Sequence, residues 1–235
     1  MECPFNHLSK VVVLYRCYEI LFIFVLMKLH HLVLFFLVTM LAACHPTSRD
    51  VRLAARNALE NASIQLDSGN KAEALQLFKE AEHYGLLAHD TLTVAHAKYH
   101  IARCLGYYAD KEEVVLLLKD AAEGFVNDYS DRSEALRELG DFYQYHGQFD
   151  SSAYYLDQAL EYAEQSGSTE AKRDCLSAFH VMYFNAGDYE KSANYLSQFW
   201  QASIADADDN LLMYYYHDMG NIFYESGNLD SADYY

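Results

Sequence analysis

Proline is nearly missing. The 235 residues contain two, Pro4 and Pro46, so no proline breaks a helix after residue 46. Branched aliphatics are scarce as well: beyond residue 46 valine and isoleucine together number ten, while alanine, leucine and tyrosine abound. A β-sandwich or barrel needs the residues that are short, and helices use those that are plentiful. Positive charge is also short. Seventeen Lys and Arg stand against 34 Asp and Glu, a formal charge of −17. That excludes the basic footprint of a nucleic-acid binder. Apolar material is not lacking: 52% of residues are hydrophobic and 15% aromatic, enough for a core and too much for a disordered chain. The expectation is an all-α protein.

The front of the chain reads as an address. Residues 11–43 are far more apolar than the rest, but Arg16, Glu19, Lys28, His30 and His31 interrupt them. Neither 11–26 nor 29–43 supplies the ~20 apolar residues of a spanning helix. Met27-Lys28 supplies a start and a positive end, 32–40 an apolar centre, and Leu41-Ala42-Ala43-Cys44 a close. These four residues resemble the lipobox of bacterial lipoproteins. The resemblance implies a signal peptide over 27–43, cleavage before Cys44, and a diacylglycerol on the Cys44 sulfur. It implies a lipid-anchored protein of a bacterial cell membrane, facing the periplasm, in either the inner or the outer membrane. Two plainer readings compete: an uncleaved signal anchor over 11–43, and Cys44 as an ordinary small apolar residue. Residues 1–26 are expected to be a non-native extension, because Glu19 is costly in an apolar segment and a signal starting at Met27 is already complete. The mature chain carries 14 basic and 32 acidic residues, about −18. Residues 44–50 form a short tether whose Asp50 is placed to cap a first helix.

From residue 51 the chain repeats itself. Gly147-Gln-Phe-Asp-Ser-Ser-Ala-Tyr-Tyr-Leu156, Gly187-Asp-Tyr-Glu-Lys-Ser-Ala-Asn-Tyr-Leu196 and Gly227-Asn-Leu-Asp-Ser-Ala-Asp-Tyr-Tyr235 align. Gly69-Asn-Lys-Ala-Glu-Ala-Leu-Gln-Leu-Phe78 fits the template, and a degenerate copy starts at Ala109. The anchors are spaced 40, 38, 40 and 40 residues. Seven before each stand Ala62, Ala102, Gly140, His180 and Gly220; four before, Gln65, Leu105, Tyr143, Tyr183 and Phe223. Five after stand Ala74, Val114, Ser152, Ser192 and Ala232; nine after, Phe78, Leu118, Leu156 and Leu196. Twelve after stand Ala81, Ala121 and Ala159, with Phe199 the exception. The pattern predicts helix, tight turn, helix in each unit. The anchor glycine closes the first helix with positive φ. Asp150 and Asp230 are placed to cap the second, and the small residues let the two helices approach closely. Cys104 and Cys175 fall two units apart, beyond disulfide reach.

These motifs resemble the tetratricopeptide repeat (TPR) family over residues 51–235. Leu139-Gly140, Tyr143, Gly147, Ser152, Leu156 and Ala159 carry the best match, with Met219-Gly220, Phe223, Gly227 and Ala232 next. The period exceeds the usual ~34 residues and is similar to the longer variant of kinesin light chain and many bacterial regulators. His180 and Phe199 depart from the pattern in the fourth unit, and the second lacks its turn glycine. The resemblance implies a right-handed α-solenoid of antiparallel helix pairs that binds another protein or peptide, and the absence of site motifs speaks for no cofactor and no catalysis. It implies a concave face built from the first helix of each unit. Groove-facing places are then Tyr99, Arg103 and Tyr107; Arg137, Asp141 and Tyr145; Phe184; and His217, Asn221 and Tyr224. Tyrosines beside two arginines suit a peptide with acidic or aromatic groups; a merely solvated face is the plainer reading. A second class is the sensor portion of a TPR-containing membrane signalling or transcription-regulatory protein.

Little else suggests chemistry. His96, His100 and Cys104 recur at four-residue steps, but eight residues of helix rise ~12 Å, too far for all three to share a metal. They read as two polar-face histidines and a buried thiol. Asp206-Ala-Asp208-Asp209-Asn210 lacks the glycine and bidentate acid of a calcium loop, having Leu211 and His217 there. No histidine and acid are placed around one serine. The fifth unit stops at Tyr235, before its expected leucine and alanine, so Met219, Ile222 and Phe223 are expected to lack cover and the chain to be part of a longer protein.

Overall fold

The computed structural model describes residues 47–206 and 209–235. The expected signal segment and Cys44 lie outside the described residues. From Ser48 the chain forms one unit. Its helices are α1 (Ser48–Asp67), α2 (Lys71–Ala88), α3 (Thr91–Leu105), α4 (Lys111–Gly124) and α5 (Tyr129–Tyr145). Then come α6 (Phe149–Ser166), α7 (Thr169–Asn185), α8 (Tyr189–Ser203), a 3-10 turn (Ile204–Asp206), α9 (Asp209–Glu225) and α10 (Leu229–Ala232). Among the described residues there is no strand. Each helix packs on its neighbours in sequence, and first helices of successive pairs also touch, α1 on α3 and α5 on α7. The result is the expected all-α solenoid. Its first helix begins at Ser48, so Asp50 lies in the first turn and not at the cap.

The repeat positions are where the helices of a pair meet. The small places (Ala62, Ala74, Ser152, Ala81, Ala121 and Ala159) are fully buried, and so are Phe78, Leu156 and Leu196. At Gly140 an added Cβ would stand 2.7 Å from Cγ and Cδ2 of Leu156. A second crossing of this kind is not part of the repeat pattern: a Cβ at Gly124 would stand 2.7 Å from that of Ala95.

A further pairing recurs. In the last three units the aromatic four before the anchor stacks on the aromatic eight after it: Tyr143 on Tyr155 at 5.3 Å, Tyr183 on Tyr195 at 5.5 Å, Phe223 on Tyr235 at 5.5 Å. Leu105 and Leu117 hold these places in the second unit and pack on one core cluster. Tyr235 thus covers Phe223, while Met219 and Ile222 are buried with Leu176, Leu196 and Phe199. The expectation that these three lack cover is therefore overturned.

The turns follow the glycines. Gly69, Gly147, Gly187 and Gly227 all have φ between 69° and 81°. The helix caps sit one residue past the anchor, not three. Asp110, Asp188 and Asn228 accept from the amides of Glu113, Lys191 and Ser231. Asp150 and Asp230 lie instead in the first turn, where a negative charge still favours the helix dipole. In the second unit Gly106 (φ 73°) closes α3 early. That leaves Tyr107 and Tyr108 in a longer turn.

Candidate functional site

The early end of α3 matters because it releases a ring onto the neighbouring helix. Tyr107 stacks on Tyr145 with centroids 5.0 Å apart, and Tyr108 meets Tyr145 edge-on at 5.5 Å. Tyr108 is 91% exposed. Burial pushes the Tyr107 phenol up to about 12, and a hydrogen bond between Tyr145 and Tyr108 raises the Tyr145 phenol. These rings edge a groove of about 780 Å³ between α5 and α7. Arg137 and Asp141 form its α5 wall, and Asp174, Ser177 and Val181 its α7 wall. The volume is in the range of ligand sites.

Arg137 is not free to meet an acid. Its Nη1 donates to Asp141 at 2.6 Å and its Nη2 to Glu138 at 3.1 Å. Burial opposes its charge, but the carboxylates of Asp141 and Glu138 outweigh that and hold the guanidinium protonated. Its Nε is sealed from solvent and has no acceptor among the described residues. Arg103 approaches the same Glu138 oxygen from α3, 3.8 Å away, and lies over the ring of Tyr99. Burial raises the Asp141 carboxyl to about 6 despite Arg137, and raises Asp174 as well. A second cavity of about 220 Å³ shares Arg137 and Asp174 with the groove and adds Glu134 and Glu170. The face is therefore acidic. The sequence suggested a peptide with acidic or aromatic groups beside two arginines; Arg137 pairs with Glu138 and Asp141 on its own helix and Arg103 with Glu138 across to α5, so neither arginine stands unpaired.

Of the residues expected in the groove, Tyr107, Arg137, Asp141 and Tyr145 come together there. Arg103 lines a smaller adjoining cavity of about 210 Å³ that also touches Tyr107. Tyr99 does not belong to the groove: it is 4% exposed, in the core, and its hydroxyl donates to Glu134 across to α5 at 2.6 Å. Phe184 does not either, since it packs on the core cluster of Leu176 and Leu196 and against the edge of Tyr189. His217, Asn221 and Tyr224 lie exposed on α9 but line no part of the groove. Asp174 and Val181 were missed. Their four- and seven-residue spacing from Glu170 and Asp174 on α7 was available as a signal.

The histidine stripe is taken up by packing. His96 meets Asp131 at 3.4 Å and the edge of Phe125, while His100 stacks on Phe78 at 4.7 Å. His100 is thus not a polar-face residue, and burial lowers it to about 4. Cys104 and Cys175 are buried free thiols, both raised by burial, Cys175 to about 11. The Asp206–Asn210 segment joins the 3-10 turn to α9, with 207 and 208 outside the described residues.

One constellation contradicts the sequence reading. Ser192, His180 and Asp218 do lie in a chain: Ser192 Oγ is 2.9 Å from His180 Nδ1, and His180 Nε2 is 3.3 Å from Asp218 Oδ2. The order is that of a hydrolytic triad, but Ser192 is fully buried between α7 and α8 and also donates to the His180 carbonyl at 3.0 Å. No substrate carbonyl can reach it. The chain ties α7, α8 and α9 together. Despite burial, the Asp218 carboxyl is held low by hydrogen bonds from His180, His217 and Tyr214.

No family model matches the sequence, and no curated protein matches it. Solved structures do. BtubC (BKLC) from P. vanneervenii superposes with a TM-score of 0.66 at 12% identity, over 83% of this chain and 81% of that one. The kinesin light chain TPR-like repeats of Podosopora anserina give 0.62 at 17%, over 81% and 92%. A signal transduction ATPase with a tetratricopeptide repeat sensor from Pyrococcus horikoshii gives 0.61 at 15%, over 73% of this chain and 26% of that one. The chain is a TPR-like α-solenoid in fold. At these identities the likeness reaches no further than the fold.

Proposed function

We propose that this chain is a non-catalytic protein–protein interaction module, held to a bacterial membrane on its periplasmic side by a lipid on Cys44. The partner lies along the concave face formed by α3, α5 and α7. The observation that carries this reading is the open groove edged by exposed tyrosines and walled by two successive first helices. Concave solenoid faces are extended and preformed, so an extended segment binds there without remodelling the protein. The anchor rests on the Leu41-Ala42-Ala43-Cys44 motif, and two acyl chains hold a protein stably in a bilayer.

A photo-cross-linking residue at Val181, inside the groove, should capture the partner in intact cells. The same probe at Leu116, exposed on α4, should not. Capture at Leu116 alone would move the site to the outer face. Cys44→Ala should abolish labelling by a fatty-acid probe; unchanged labelling would remove the lipid anchor from the proposal. The similarity to a TPR sensor in a larger signalling ATPase favours one second reading, in which the same groove senses a ligand. Cross-linked species of small-molecule mass, and none of protein mass, would mark that case.

A further inference from the structure

Resting on the concave-face reading, we propose that the groove takes an extended segment of a partner protein that presents lysine or arginine side chains to Asp174 and Glu170 on α7, beside the Tyr107–Tyr145 ring pair. The charge around the groove has a definite sign. Both nearby arginines are spoken for, Arg137 by Asp141 and Glu138, Arg103 by Glu138. An incoming acid would have to displace a carboxylate already in place. Asp174 and Glu170, by contrast, stand exposed on α7; Arg137 attracts the Asp174 carboxylate from across the groove, but its own hydrogen bonds go to Asp141 and Glu138. A cation entering there gains attraction and displaces nothing.

The rings select the same chemistry. Tyr107 and Tyr145 lie nearly parallel, with interplanar angle 20°, and Tyr108 closes on Tyr145 from the side. Aromatic faces attract ammonium and guanidinium groups. Both lysine and arginine also carry apolar stems that lie well along tyrosine rings. The chain already uses this contact on its own surface, with Lys191 4.9 Å from the ring of Tyr183 and Arg132 4.3 Å from that of Tyr162. Other occupants fit less well. A second copy brings its own net negative charge of −17 against an acidic face. An anionic lipid surface or nucleic acid meets the same repulsion.

The test is to pan a phage-displayed random dodecapeptide library on the full chain in detergent micelles, then measure synthetic copies of the binders by fluorescence anisotropy at physiological salt. Lysine and arginine should be enriched. Asp174→Asn with Glu170→Gln should weaken those peptides about tenfold, while removing the same charge from the outer helix, by Glu112→Gln with Glu123→Gln, should weaken them less than about twofold. All four acids are exposed, so folding is spared, and circular dichroism checks this. Equal losses in both double variants would mean diffuse attraction and would overturn the proposal. An acidic consensus whose binding is lost in Tyr145→Ala would overturn it while leaving the concave-face reading in place. Binders indifferent to both the α7 pair and Tyr145→Ala would bring down the two together.

Discussion

Gly140 and Gly220 occupy the same place in their repeats, yet alanine should act on them in opposite directions. At Gly140 the new Cβ lies 2.7 Å from both Cγ and Cδ2 of Leu156. Carbon atoms rest at ~3.5–4.0 Å, so Leu156 must retreat by roughly 1 Å. It has nowhere to go, being fully buried among Phe179, Met182 and Ala178. Overpacking of this kind costs ~1–3 kcal/mol, against a gain of ~1 kcal/mol from replacing glycine inside a helix. Gly140→Ala should thus lose between about 0 and 2 kcal/mol. Gly140→Val should lose ~2–4 kcal/mol, since two more carbons enter and β-branching gives back part of the propensity gain. At Gly220 nothing comes nearer than 3.9 Å. Gly220→Ala should keep the helix gain and stabilise by ~0.5–1 kcal/mol. The measurement is urea unfolding followed by far-ultraviolet circular dichroism, ranking midpoints. A solenoid can unfold in parts, so hydrogen exchange should confirm that α5 and α6 soften together. A neutral Gly140→Val, or equal shifts for the two alanine variants, would refute the close-crossing argument.

Other outcomes follow from the same packing. Burial pushes the Asp141 carboxyl up to about 6 in the folded protein, against 3.8 ordinarily. The folded state therefore binds the extra proton between these values, and its charging penalty is fully present above pH ~6 and gone below pH ~4. Lowering the pH through that window should stabilise wild type by about 3 kcal/mol relative to Asp141→Asn; parallel pH profiles would refute the assignment. Cys104 and Cys175 are buried and held as thiols, so maleimide at neutral pH should label neither until denaturant is added. His180→Ala removes the link between Ser192 and Asp218 and should cost ~2–4 kcal/mol. Amide exchange should then rise in α9 as well as in α7 and α8; protection of α9 equal to wild type would show that the chain of contacts carries no load.

Sequence alone determined the solenoid. The anchors Gly69, Gly147, Gly187 and Gly227 and the places keyed to them describe contacts within one helix pair, close in sequence and repeated often enough to average out exceptions. Local chemistry specifies such contacts: positive φ for glycine, small residues at a crossing, apolar residues at helical spacing. The stacking of Tyr143 on Tyr155 and Tyr183 on Tyr195 was equally legible, since it keeps the same phase. What only the tertiary structure decided lies between pairs. Arg137 with Asp141 is an i, i+4 pair on one helix and was legible in the chain, but Arg103 meets Glu138 only across the step from α3 to α5. Tyr99 looks like a groove residue, yet the step from α3 to α5 buries it on Glu134. His180 and Ser192 hold the facing repeat places seven before and five after Gly187, but Asp218 joins them only from the next pair. Charge pairing depends on distances across the stack, which one-dimensional periodicity does not encode. The fold was therefore written in the repeat, while the chemistry of its face was set by how one repeat leans on the next.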